Sequence, residues 1–150
     1  MSTICIMPCG NKKIWDKNPD AGPTKARYVY VGSFTSKCQE YAEKFYPESW
    51  CILSAKYGFL FPDDIVPGQY DKCFNNKKSH PITIEELKAS EAIPEMDKYD
   101  NFVVLGGKNY TEVVKNIFTD KNVYNPLSKC KGMGFMMQEL NEAIKKNVPL

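Results

Sequence analysis

Phe102-Val103-Val104-Leu105-Gly106-Gly107 is a run of four apolar residues without alternation, closed by two glycines. A strand that is apolar at successive positions offers neither face to water, as in parallel sheets covered on both sides. Tyr110, Val113, Val114, Ile117 and Phe118 follow at helical spacing and predict an amphipathic helix. Strand, glycine turn and helix together form the unit of a parallel α/β sheet joined by right-handed crossovers.

The same unit recurs outward from this stretch. Upstream, Trp50 to Leu53 reads as a buried strand. The helix before it is expected to be capped by Thr35 or Ser36, with Ser36-x-x-Gln39 as a capping box. Cys38, Tyr41, Ala42 and Phe45 form its apolar stripe, and Pro47 stops it. Further upstream, Thr3 to Met7 is a first strand ended by Pro8-Cys9-Gly10-Asn11. Downstream, Asn122 to Tyr124 is a strand ended by Asn125-Pro126-Leu127-Ser128, and Gly132-Met133-Gly134 opens a last helix. Its stripe of Met133, Met136, Met137, Leu140 and Ile144 reads as core packing. Between these units, residues 11–25 read as loop, Arg27 to Val31 as an extended segment and residues 58–81 as one long loop. Thr83-x-x-Glu86 opens a short helix that Pro94 is expected to break. The expectation is one α/β domain over residues 1–150, a three-layer sandwich around a mainly parallel sheet of four to five strands.

Bulk properties exclude several classes. With 150 residues, 43% hydrophobic and 25% charged, the chain can bury a core without staples. A net charge of +2 does not predict nucleic-acid binding by itself. The lysines are grouped, however, at Lys12-Lys13, Lys77-Lys78, Lys129 with Lys131, and Lys145-Lys146. These groups read either as solvated surface or as a rim facing phosphate. None of the six cysteines forms C-x-x-C, so neither a zinc ribbon nor a thiol redox motif is present. The single histidine, His80, excludes H-E-x-x-H. No metal or cofactor is expected. Met1-Ser2-Thr3-Ile4-Cys5 lacks the pattern of a signal peptide, and no apolar run approaches the ~20 residues of a membrane span. A reduced cytoplasmic setting is expected, and the oligomeric state is not legible.

Ligands of open α/β sheets bind at the carboxyl ends of the strands, so the four strand-end loops hold the candidate site residues. The first supplies Gly10, Asn11 and Lys13, with glycine for close backbone approach and lysine for an anion. It is not a P-loop, since G-x-x-x-x-G-K-[ST] is absent. The second supplies Ser54, Lys56, Tyr57 and Gly58. Ser54 and Lys56 stand two apart and share a side of extended backbone. They read either as a nucleophile pair or as a local hydroxyl beside an anion-binding amine. Tyr57 either stacks on a ring or packs. The third supplies Gly106 and Gly107 before a helix N-terminus, and the fourth Asn125, Ser128 and Lys129. Each loop has the plain alternative of a turn. Asp63, Tyr70 and Asp71 follow the second loop, and a carboxylate there suits water activation or a developing cation.

Ser54-Ala55-Lys56-Tyr57-Gly58-Phe59-Leu60-x-Pro62-Asp63, followed by Ile65, Pro67, Tyr70 and Asp71, resembles a small bacterial and phage family of uncharacterised domains. Its members carry an S-x-K-Y-G-L-L-x-P…P-Y-D pattern. Cys9-Gly10-x-Lys12-Lys13 and Tyr30-x-Gly32-x-Phe34 are similar to it as well. That pattern in turn resembles the YaaA-like peroxide-stress proteins and, more distantly, the uracil-DNA glycosylase superfamily. The resemblance implies a uracil-DNA-glycosylase-like fold and a cleft for a base or nucleotide. Asn125-Pro126-Leu127-Ser128, with Gly132 and Gly134, is similar to the late DNA-gripping loop of those glycosylases, with Asn where they carry His. Their early Gly-Gln-Asp-Pro motif is replaced by Cys9-Gly10-Asn11-Lys12-Lys13.

Three functional readings follow. The first is an N-glycosidase acting on a modified base in nucleic acid, with Asp71 or Asp63 as the carboxylate and Lys56 in the catalytic set. Asn11 would then contact the base, Tyr57 would stack, and Ser128, Lys129 and Lys131 would hold phosphate. The second is a non-catalytic module that binds DNA or nucleotide through the same loops. The third is a stress-response protein without either activity.

Overall fold

The computed structural model of the chain describes residues 2–150. The first strand, β1 (Thr3–Pro8), lies at the centre of a five-stranded sheet. A short helix α1 (Ile14–Lys17) and a two-residue strand β2 (Thr24–Lys25) follow, then helix α2 (Ser33–Phe45). Strands β3 (Trp50–Ser54), β4 (Gly58–Leu60) and β5 (Ile65–Val66) come next. Helices α3 (Ile84–Lys88) and α4 (Ile93–Met96) lead into strand β6 (Asn101–Val104). Helix α5 (Lys108–Ile117), strand β7 (Asn122–Tyr124) and helix α6 (Met133–Lys146) complete the chain.

The sheet order is β4-β3-β1-β6-β7. β1 pairs in parallel with β3 and with β6, and β6 in parallel with β7. Every residue of β3 is buried, as is every residue of β1 after Thr3. Helices therefore cover both faces of the sheet. α2 packs on α6, and α5 packs on α3. Phe102 stacks on Phe118 at 4.5 Å between ring centroids, fixing α5 against the sheet. Cys38, Tyr41 and Ala42 form the buried stripe of α2. This is the mainly parallel α/β architecture that the run at Phe102 points to.

Five local expectations are corrected. The segment after Ser54 does not leave the sheet as loop: β4 turns back antiparallel on β3, with Ser54 opposite Gly58, and makes the sheet mixed. Three residues are too few to show periodicity. Residues 11–25 hold α1 and β2. Trp15 is buried there, its Nε1 donating to the Gly22 carbonyl at 2.8 Å. Ala26–Tyr28 is a 3₁₀ turn rather than extended, because the amides of Ala26 and Arg27 reach the carbonyls of Asp64 and Pro62. Ser36 caps nothing: α2 starts after Gly32, and Gln39 Nε2 instead donates to the Arg27 carbonyl at 2.8 Å. Pro94 does not end α3, which stops at Lys88, but sits in the first turn of α4. The capping box at Thr83 and Glu86 is present, with Glu86 N donating to Thr83 Oγ1 at 3.1 Å.

Candidate functional site

From β1 the chain steps through α2 to β3 on one side, and later returns to β6 on the other. The carboxyl ends of β1 and β6 thus form a topological switch point, where crevices open in sheets of this type. A cleft of about 450 Å³ lies there. Its floor is Pro8, Cys9, Gly10 and Gly107; its walls include Phe34, Tyr110 and Met136. That volume is in the range of small-ligand pockets.

Two glycines let the loops meet. A β-carbon on Gly10 would stand 2.9 Å from Thr35 Cγ2, so only glycine permits the loop after β1 to press on the start of α2. Gly106 has φ +114°, a conformation side chains rarely adopt, with the Pro8 ring 3.2 Å from where its β-carbon would be. Asn125 fixes this turn. Its Nδ2 donates to the Gly106 carbonyl at 3.0 Å and to Thr111 Oγ1 at 2.9 Å, and its Oδ1 accepts from Leu127 N at 2.9 Å.

Beside the cleft lies a buried polar cluster. Ser54 Oγ accepts the amides of Lys56 at 3.2 Å and Tyr57 at 3.0 Å. Both lone pairs are then used, so the hydroxyl proton of Ser54 points to Tyr70 OH, 2.8 Å away. Tyr70 OH is in turn hydrogen-bonded to Tyr30 OH. Burial pushes the phenols of Tyr30 and Tyr70 up, so both stay protonated as donors. Lys13 is 1% exposed; its ammonium lies 4.3 Å from the Tyr70 ring centroid and donates to the Asn11 carbonyl at 3.3 Å. Burial lowers the Lys13 pKa, opposed in turn by Cys9, Asp16, Cys73 and Asp71. Asp16 ties the cluster to the next loop by accepting Lys13 N at 2.8 Å and Gln69 Nε2 at 2.9 Å. Cys9, 9% exposed, lies 3.3 Å from Tyr110 OH, and burial raises its thiol pKa.

The structure thus brings Gly10, Asn11 and Gly107 into the cleft. Lys13, Ser54, Tyr57 and Tyr70 form the adjoining cluster, where the Tyr57 ring meets Tyr70 edge-on at 5.5 Å. Lys56 is exposed, with its amine over the Tyr57 ring at 5.2 Å. Gly58 is buried under Leu87. Gly106 and Asn125 support the cleft from behind. Asp71 is exposed, near enough to Lys13 to favour its charge. Asp63 is held elsewhere, 3.1 Å from Arg27 Nε. Ser128 and Lys129 are exposed, and Lys129 lines a separate depression of about 420 Å³. Among the described residues, no group of three or more His, Cys, Asp or Glu is placed to hold a metal ion. No helix among them is long and apolar enough to cross a membrane.

Several lining residues are not legible in the sequence. Phe34, Thr35, Cys73 and Asn75 come from a helix start and from residues 71–80. Met133, Met136 and Met137 do not all pack in the core: Met133 is 60% exposed and all three line the cleft. The one signal for them is the start of the last stripe directly after Gly132.

Fold and site define a doubly wound α/β protein with an open cleft at its switch point. The chain belongs to the family of unknown function DUF6884, whose model matches residues 4–142. It is 42% identical over 147 residues, 97% of each chain, to the uncharacterized protein YfjM of Bacillus subtilis strain 168. The matched span contains every loop that builds the cleft.

Proposed function

We propose that the cleft binds a nucleobase carrying phosphate, as a nucleotide or as part of a nucleic-acid strand. We further propose that the reaction it serves is hydrolysis of the N-glycosidic bond of a modified base. The observation that carries the binding reading is the cleft's position between Gly10 and Gly107, at the switch point of the sheet. Phe34, Tyr110 and the methionines offer apolar walls to a flat ring. The first amides of α2 and α5, with Lys12, offer donors and charge to phosphate.

In this reading the fold is related to that of the uracil-DNA glycosylases. Water attacks the sugar carbon as the C–N bond breaks; the bonding pair leaves with the base, which takes a proton from solvent, and the water proton passes to a carboxylate. Asp71, within electrostatic reach of Lys13, is favoured over Asp63, which Arg27 engages. Asn11 contacts the base, Tyr57 stacks, and Ser128 and Lys129, which lie outside the cleft, take the phosphate of an adjoining nucleotide. Six free cysteines suit a reduced cytoplasmic setting.

One observation favours the alternative of a non-catalytic binding module: none of the residues lining the cleft carries a carboxylate. Fluorescence-polarisation titration with single- and double-stranded DNA at two salt concentrations, followed by alkali treatment, separates the readings. Strand breaks at a modified base support hydrolysis. Binding without breaks supports the module, and absence of binding at low salt overturns both.

A further inference from the structure

The first two turns of α6 are a wall shared by two depressions. On one face Met133 and Met136 line the cleft. On the other, Phe135 lines the second depression with Pro126, Lys129 and Lys131. Phe135 is 60% exposed, although an aromatic ring gains free energy by leaving water. Lys129 and Lys131 are both exposed, and among the described residues neither makes a salt bridge. An unpaired pair of cations beside an uncovered aromatic face is the combination that single-stranded nucleic acid uses, with phosphate on the lysines and a base on the ring.

Building on the nucleobase reading of the cleft, we propose that the second depression is a neighbouring-nucleotide subsite and that the natural ligand is a single strand, not a free nucleotide. One base enters the cleft. The next nucleotide crosses the start of α6, stacks its base on Phe135 and sets its phosphate against Lys129 and Lys131. The charge of the patch favours a polyanion over an apolar peptide, and its continuity with the cleft through one helix places the two nucleotides on one chain. Glu139, at the edge of the same depression, disfavours a second phosphate there.

The test compares a nucleoside monophosphate with a five-nucleotide single strand. Both are titrated against the wild-type chain, Phe135→Ala and the double variant Lys129→Gln/Lys131→Gln. Phe135 is a surface residue, so its loss leaves the fold intact, which circular dichroism checks. The expected result is oligonucleotide binding weakened about five- to hundredfold by Phe135→Ala, with monophosphate affinity unchanged. In the lysine variant the salt slope of oligonucleotide binding falls by about 0.7 for each phosphate that is no longer neutralised. Equal loss of both ligands in Phe135→Ala would place Phe135 in the cleft itself and overturn the subsite. Monophosphate binding with oligonucleotide affinity indifferent to Phe135 would overturn the subsite alone and leave the cleft reading standing. Absence of binding of both ligands to the wild-type chain would overturn the cleft reading and the subsite with it. Duplex bound as tightly as single strand, or a dimer in sedimentation that Phe135→Ala dissolves, would also overturn the proposal.

Discussion

Asn125, in the loop after β7, donates through Nδ2 to the carbonyl of Gly106, in the loop after β6, at 3.0 Å. Asn125 is buried and every polar atom of its side chain is paired. Replacement by Ala leaves the Leu127 amide and the Gly106 carbonyl unsatisfied, at a cost of about 1–3 kcal/mol. Asn125→Asp should lose at least as much, because a carboxylate has no proton for Gly106. Denaturant unfolding of both variants checks this. Wild-type stability in either would show that Asn125 does not hold the turn.

Gly10 and Thr35 should behave as a coupled pair. The methyl of a Gly10→Ala side chain meets Thr35 Cγ2, and such overpacking costs about 1–3 kcal/mol. Thr35→Ser removes that methyl while keeping the hydroxyl, which donates to the Gly32 carbonyl at 3.1 Å. The double variant should therefore recover most of the stability. A double-mutant cycle without coupling would refute the close approach of the two residues.

Lys13 carries an energetic burden beside the proposed binding cleft. Its buried ammonium has one hydrogen bond and one aromatic face to offset desolvation. Lys13→Met should be neutral or stabilising by about 1 kcal/mol, while weakening the binding of phosphate-bearing ligands. A variant that is strongly destabilised would instead make Lys13 a structural keystone of the loop after β1.

Alkaline pH should unfold the protein progressively. Burial raises the thiol pKa of Cys5, Cys38 and Cys51 above the ordinary value of 9.0, and raises Tyr41 from 10.0 to about 12. The folded chain then keeps protons that the unfolded chain releases. The associated stability is complete below pH 9 and is lost as pH rises through 9 to 12. Tyr41 alone accounts for at most about 3 kcal/mol of that loss. Denaturant midpoints at pH 8, 10 and 11 should fall in that order, and Tyr41→Phe should flatten the last step. A flat profile would contradict the burial of these groups as ionisable protons.

Asp71 carries the catalytic half of the proposal. Asp71→Asn should abolish base release while leaving oligonucleotide affinity within about twofold, since the change is nearly isosteric and the side chain is exposed. Turnover that survives the substitution would remove Asp71 from the mechanism.

The legible parts of the fold are those written in long apolar patterns. Phe102 to Leu105, Trp50 to Leu53 and the stripe of α5 each declare a buried face, and the parallel order follows from their alternation. β4 and α1 are not legible, because three- and four-residue elements are held by tertiary partners: Leu53 opposite Phe59, and the Gly22 carbonyl on Trp15. At the site, glycine punctuation locates Gly10 and Gly107, since backbone approach leaves a compositional trace. Cys73 and Asn75, in residues 71–80, leave none. Phe34 and Met133 are of types that serve equally in a core, and the packing of α2 against α6 turns them toward the cleft.

The most direct test of the central claim is a ¹⁵N–¹H NMR titration of the wild-type chain with purine and pyrimidine nucleoside monophosphates and a short single strand. The account predicts shifts concentrated at Gly10, Asn11, Gly32 to Thr35 and Gly107, the amides that ring the switch-point cleft. Shifts confined to other surfaces, or none at millimolar ligand, would contradict it.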